Sequence, residues 1–227
     1  LSAAIYEELI AVGVDVVTTG NHVFDQKDLI AAIDGLPRLL RPLNLPPGAP
    51  GRGAIVAELR NGQKLHVLNP MGRLFMEAID DPFRGTETLL RKAPLKAGAD
   101  AVVIDFHAEA TSEKQAFARF FDGRASLIVG THTHTPSADT RILSGGTAYQ
   151  TDAGMCGDYD GVIGFQDDAP THRFLRKIPG PRLQPCEGPA CLCGVFVETD
   201  DATGLATTVR PFREGAGLAE TPLGDFA

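Results

Sequence analysis

Apolar residues at Ala3, Ala4, Ile5, Leu9 and Ile10 repeat with helical spacing, which predicts a helix from Ser2 to Ala11. It leads through Gly13 into a β-type run, Val14 to Val17, then a Gly20-Asn21-His22 loop and a helix around Gln26 to Ile33. Such alternation of strands and helices is the pattern of a parallel sheet with covering helices. Arg41 to Gly53 is rich in Pro and Gly and reads as a surface loop, after which Ala54 to Leu59 and Lys64 to Leu68 flank Asn61-Gly62, a hairpin signal. Further on, Glu87 to Lys92 reads as helix and Ala101 to Asp105 as a buried strand. A helix is expected from Ser112, with Gln115 completing a capping box and Ala116, Phe117, Phe120 and Phe121 facing inward. Asp122-Gly123 ends it, and Ser126 to Val129 forms the next buried strand.

Beyond that point the pattern changes. Thr147 to Gln150, Val162 to Phe165, Leu192 to Thr199 and Ala206 to Phe212 read as short strands separated by Gly, Pro and Asp, implying a second, mostly antiparallel sheet. Ile178 to Pro189 reads as a flexible excursion, and no internal repeat is visible. The expected fold class is α/β, with two packed mixed β-sheets flanked by helices. The chain opens at Leu1, inside a helical pattern, as though in the middle of a βαβ unit.

A length of 227 residues suits one large domain or two small ones, and 43% hydrophobic residues is enough to build a real core. A formal net charge of -8 argues against a surface built to neutralise a nucleic-acid duplex, which needs clustered Lys and Arg. A small phosphorylated ligand remains compatible, because a bound metal dominates its local field. The apolar runs are strand-length, far short of the roughly 20 residues of a membrane span, and no signal peptide is read at the start. Cys156, Cys186, Cys191 and Cys193 lack the paired C-x2-C halves of a structural zinc module, so free thiols and a reducing, cytoplasmic location are expected.

Candidate chemistry lies where strands end. Gly130-Thr131-His132-Thr133-His134 follows one β-type run, Gly20-Asn21-His22 a second, and Phe106-His107 a third. In open α/β sheets the carboxyl ends of the strands are where ligands bind. Asn21, His107, His132 and His134 would offer an amide oxygen and three imidazoles, a set suited to Zn, Mn or Fe and not to calcium. His22 points elsewhere from the same turn and could protonate a leaving oxygen. Taken alone, Asn21-His22 also fits an Asx-turn with a solvent-facing ring.

Around these, Asp105 or Glu109 could orient the His107 ring, or Asp105 could satisfy backbone groups. Asp152-Ala153-Gly154-Met155 could line a pocket or form a plain turn. Arg73 and Arg84 could contact phosphate or sit solvated at the surface. His66 and His172 fall outside the pattern. There is no G-x-S-x-G nucleophile motif, and Cys156 has no positioned His nearby in sequence.

The G-N-H and G-x-H-x-H blocks, with His107 between them, resemble the calcineurin-like metallophosphoesterases. Longer runs are similar to the YmdB-type bacterial phosphodiesterases: Thr19-Gly20-Asn21-His22, Arg41-Pro42-Leu43-Asn44, the stretch from Asp105 to Lys114, Gly130 to His134, Ala138 to Leu143 and Gly146 to Met155. The likeness extends to about Gly161.

That resemblance implies a single metallophosphoesterase domain over 1–227, a four-layer α/β/β/α sandwich. It implies two divalent or mixed-valence metal ions, Fe and/or Mn or else Zn, and hydrolysis of a small phosphodiester such as a 2',3'-cyclic nucleotide by a hydroxide bridging them. By position, Asn21, His107 and His132 would hold one ion, His134 would help hold the other, and His22 would protonate the leaving group. A homo-oligomer is also implied, with no membrane partner.

The family's G-D-x-x-G turn and N-x-E-N segment are missing from this sequence. On this reading the chain is expected to be N-terminally incomplete, its first βαβ portion missing, which leaves the ion at His134 short of ligands. The alternatives are a phosphomonoesterase on the same scaffold and a regulatory or ligand-binding protein with an incomplete, inactive metal site.

Overall fold

The computed structural model of the chain describes residues 1–222. Its centre is a six-stranded sheet in the order β1 (Ala54–Glu58), β2 (Lys64–Leu68), β3 (Ala101–His107), β4 (Leu127–Thr131), β6 (Ala148–Gln150) and β5 (Arg141–Ile142). The four inner strands are parallel, and β1 and β5 run antiparallel at the edges. A second, two-stranded sheet pairs β7 (Cys191–Thr199) with β8 (Ala206–Gly215), and β8 lies against β5 and β6. With α1 (Ala3–Ala11), α2 (Lys27–Ala32), α3 (Pro82–Lys92), α4 (Thr111–Phe120) and α5 (Asp168–Arg176) around them, the fold is the expected α/β arrangement of two sheets flanked by helices. Among the described residues no helix is long and apolar enough to cross a membrane.

Local chemistry explains most element boundaries. The Ser2 hydroxyl accepts from Ile5 N and starts α1 where the apolar spacing begins. The hairpin turns as expected, with Gly62 in the left-handed region at φ 81°. Helix α3 begins well before the apolar pattern suggests, because the Asp81 carboxylate caps Phe83 N and Arg84 N and Pro82 occupies the first helical position.

The capping box expected at Ser112 is not formed. The helix already starts at Thr111 with Ala110 as its N-cap, so Ser112 lies inside it. Its buried stripe is Lys114, Phe117, Ala118 and Phe121, whereas Ala116 and Phe120 are exposed. The spacing of three and four residues is as expected. The stripe, however, takes in a lysine that hydrophobicity alone would place outside.

Three further expectations are corrected. Val14 to Val17 is not a full strand: Val14 N bonds back to Leu9 O, and only Val17 pairs, as a single bridge to Leu39. Its opposite segment is the short Leu39-Leu40 stretch, which cannot support a longer ladder. Thr147 to Gln150 joins the first sheet, with Ala148 and Tyr149 registered on Leu127 and Ile128, and Val162 to Phe165 is a tight turn bridged to itself. The second sheet is therefore smaller than the turn spacing suggests.

Two apolar clusters hold the elements together. Leu68, Val102, Ile104, Phe106, Phe117, Phe121, Ile128 and Tyr149 join the sheet to α3 and α4. Tyr6, Val17, Leu29, Ile33 and Leu39 join α1 and α2 to the Val17 segment. The Phe106 and Phe117 rings stack at 4.1 Å between centroids, which fixes α4 against the strand that carries His107.

Candidate metal centre

Because β3 and β4 are parallel neighbours with His107 registered on Thr131, His107 and the following His132 emerge at one rim. The loop after Val17 brings Asn21 to the same place. Asn21 Oδ1 lies 2.8 Å from His107 Nε2, and His132 Nδ1 lies 3.1 Å from that same nitrogen. The close approach requires a glycine at position 20, where a Cβ would sit 2.1 Å from His107 Nε2.

The opposite ring nitrogens are all occupied. The Thr131 hydroxyl donates to Asp105 Oδ1 at 2.7 Å, so it can only accept from His107 Nδ1 at 2.9 Å, and this leaves Nε2 bare. Glu109 Oε2 sits 3.1 Å from His132 Nε2, and a carboxylate there accepts the proton and leaves Nδ1 bare. The Ile163 carbonyl, 2.8 Å from His134 Nδ1, does the same for the third ring. Orientation of each imidazole through its far nitrogen is the usual support for a metal ligand.

Electrostatics agree with this assignment. Burial, with the neighbouring charges of His132 and Lys114 adding to it, pushes the His107 pKa down to about 3, so the ring is neutral at pH 7. Burial also lowers that of His132, against the opposing pull of Glu109. Asp105 is pushed up to about 6 by burial, despite hydrogen bonds from Thr18 and Thr131.

With the far nitrogens carrying the protons, His107 Nε2 faces the Asn21 amide oxygen at 2.8 Å and His132 Nδ1 at 3.1 Å as acceptors, an arrangement that a cation among them would stabilise. The donor set therefore fits a borderline metal ion of the Mn, Fe or Zn kind. It is a partial set: among the described residues no three His, Cys, Asp or Glu side chains form a group able to hold a metal.

Residues 1–212 match the family model described as YmdB-like protein. The chain belongs to the YmdB-like family. It is 44% identical over 209 residues to the 2',3'-cyclic-nucleotide 2'-phosphodiesterase of Bacillus subtilis (strain 168), a match that covers 92% of this chain and 78% of that protein. Two solved structures are similar: a hypothetical protein from Thermus thermophilus, with a TM-score of 0.87 at 39% identity over 96% of this chain and 82% of that one, and a novel phosphatase from Mycoplasma pneumoniae, with a TM-score of 0.85 at 36% identity over 95% and 77%.

In this member of the YmdB-like family the sequence-derived candidates separate into groups. Asn21, His107 and His132 meet. His134 leaves the same loop but turns its ring to the Ile163 carbonyl and has no hydrogen bond to those three. His22 stands in solvent, 77% exposed, with Nδ1 2.8 Å from Asp25 Oδ2. Of the two acids flanking His107, Asp105 acts through Thr131, and Glu109 supports His132 and not His107.

Arg73 pairs with Asp81 at 3.6 Å, and Arg84 lies exposed on α3. His66 is a core histidine bonded to Ala93 O. The four cysteines are free thiols, with Cys191 and Cys193 buried on β7.

Other contributors were harder to read from sequence. Asp25 carried a signal, being three residues from His22. Thr131 sits inside the histidine motif but reads as a spacer. Asp152, expected to line a pocket or form a turn, accepts from Gly154 N two residues on and also makes a buried ion pair with Lys114 at 2.8 Å, and neither Asp152 nor Lys114 carries a local signal that links it to the other.

Proposed function

We propose that the protein is a metal-dependent phosphoric ester hydrolase that cleaves small phosphodiesters, 2',3'-cyclic nucleotides foremost. The observation that carries this reading is the convergence of Asn21 Oδ1, His107 Nε2 and His132 Nδ1, with the far nitrogen of each ring tied to an oxygen acceptor. The substrate class is supported by the 44% identity to the Bacillus subtilis 2',3'-cyclic-nucleotide 2'-phosphodiesterase.

Asn21, His107 and His132 would hold one ion and His134 would contribute to a second, the nitrogen and oxygen donors suiting Zn, Mn or Fe and the family resemblance favouring Fe or Mn. The chemistry supplied by bound cations is Lewis acidity, which lowers the pKa of a water and neutralises charge on phosphoryl oxygens. The chain's own groups do the rest. His107 and His132 stay unprotonated at neutral pH because burial disfavours their charged forms.

Asp25 holds His22 by Nδ1, which leaves Nε2 to deliver a proton to the departing alkoxide oxygen of the ester. His22 stands in solvent, so a substrate can reach it and the ring can regain its proton after each turnover. Gly20 keeps the backbone beside His107 clear for the donor atoms to meet.

Hydrolysis of 2',3'-cyclic AMP by the Mn-loaded protein tests this. His22→Ala is expected to keep the metal and slow turnover by roughly 100-fold or more, the usual worth of a general acid. His132→Ala is expected to lose both metal and turnover. Metal binding without turnover in the parent would instead favour a regulatory or ligand-binding role.

A further inference from the structure

The strongest unexplained feature lies beneath the donor cluster. Lys114 and Asp152 are 1% and 2% exposed and meet at 2.8 Å between Nζ and Oδ2. A buried ion pair brings little net stability, because two charges must be stripped of water to form it, so its presence calls for another explanation. The remaining partners of Asp152 supply one. Its Oδ2 also accepts from Thr133 N at 3.0 Å and from the Thr133 hydroxyl at 2.8 Å, and its Oδ1 accepts from Gly154 N at 2.9 Å.

Thr133 stands between the two histidines of the motif. His132 has φ 107° and His134 φ 65°, left-handed conformations that cost free energy in residues with a side chain and persist only where the surroundings impose them. The surroundings here are Asp152 on Thr133, together with Met155 N and the Tyr159 hydroxyl on His134 O.

Lys114 reaches this carboxylate from α4 by passing under Gly130, where a Cβ would sit 2.9 Å from Lys114 Cδ. The pair thus ties α4, the end of β4 and the segment after β6 to one strained turn.

We propose that Lys114 and Asp152 are positioning residues that hold the His132-Thr133-His134 turn in its strained form, and so set the directions in which His132 and His134 present their bare nitrogens. The lysine ammonium anchors the buried carboxylate through its Oδ2, and the carboxylate grips Thr133 through both its amide and its hydroxyl. This inference rests on the metal reading above for its purpose but not for its geometry.

The test uses two variants of the whole protein, with folding checked by circular dichroism and a cooperative melt. Lys114→Met/Asp152→Leu replaces both charges with apolar groups of similar size, and Thr133→Val removes the hydroxyl alone. Two quantities are read: hydrogen exchange at the Thr133 amide in metal-free protein, and Mn2+ affinity by equilibrium titration. In the folded double variant the Thr133 amide should lose its protection and Mn2+ affinity should fall roughly 10- to 100-fold, the usual effect of removing support behind metal ligands.

Thr133→Val, which keeps the amide bond, should weaken Mn2+ binding by less. A folded double variant with parental protection and parental affinity overturns the proposal. If the double variant does not fold, an unchanged Mn2+ affinity in Thr133→Val overturns it. A parent that binds no Mn2+ yet loses Thr133 protection in the variant refutes the metal reading and upholds the positioning role.

Discussion

Glu109 Oε2 lies 3.1 Å from His132 Nε2, on the side of the ring away from His107. A carboxylate there fixes the tautomer and raises the basicity of the nitrogen that faces the donor cluster. Glu109→Ala should therefore lower Mn2+ affinity by roughly 10-fold or more without altering the melt, since Glu109 is half-exposed at the rim and lies outside both apolar clusters. Isothermal titration of the two proteins side by side checks it, and equal affinities would remove Glu109 from the account.

Gly20 offers a steric test. A methyl group at this position would meet His107 Nε2 at 2.1 Å, closer than any contact allows, and would push the ring or the loop aside. Gly20→Ala is expected to abolish tight metal binding and activity. The apolar cluster around Phe106 and Phe117 lies behind the ring, so the fold should survive with a near-parental circular dichroism spectrum.

Much of this was legible in the sequence because the chemistry sits at strand ends, where a β-type run followed by a polar motif is visible without knowing the pairing. Asn21, His107 and His132 were read in that way; His107 and His132 do leave strands, whereas the run before Asn21 makes only one bridge, and the structure still brings all three to one rim. What escaped the sequence was decided by contacts between distant segments. Lys114 completes a helical stripe with Phe117, Ala118 and Phe121, but a lysine counts as polar in any periodicity argument until its partner Asp152 is known. Thr147 to Gln150 has the composition of a strand in either sheet, and only its register on Leu127 and Ile128 assigns it to the first. Val14 to Val17 has strand composition but lacks a full-length neighbour.

Acid sensitivity follows from Asp139. Burial would raise its pKa, but hydrogen bonds from the Thr151 hydroxyl and amide, from Ser137 and from Arg141 outweigh it and bring the value down to about 2. The folded state thus binds this proton more weakly than the unfolded chain does. Its contribution to stability is present above the unfolded value near 4 and is lost as pH falls through about 2. A shift of this size corresponds to about 2 kcal/mol. Asp139→Asn should remove that part of the stability loss between about pH 4 and pH 2, as read from urea midpoints. An unchanged pH dependence in the variant would show that the network around Thr151 carries no such linkage.

The His22–Asp25 contact predicts a separation of roles. Asp25→Asn should leave metal content at the parental level and lower kcat for 2',3'-cyclic AMP, because Nδ1 of His22 loses the charged partner that orients it. Metal analysis of the purified variant beside its turnover number checks this, and a variant that loses metal would move Asp25 from proton delivery to metal support.

The most direct test of the central claim is anomalous diffraction at the manganese edge from crystals of the protein grown with Mn2+. The account predicts a peak in contact with Asn21 Oδ1, His107 Nε2 and His132 Nδ1 together. A peak that touches none of these three atoms, or no peak at a Mn2+ concentration that saturates binding in solution, would contradict it.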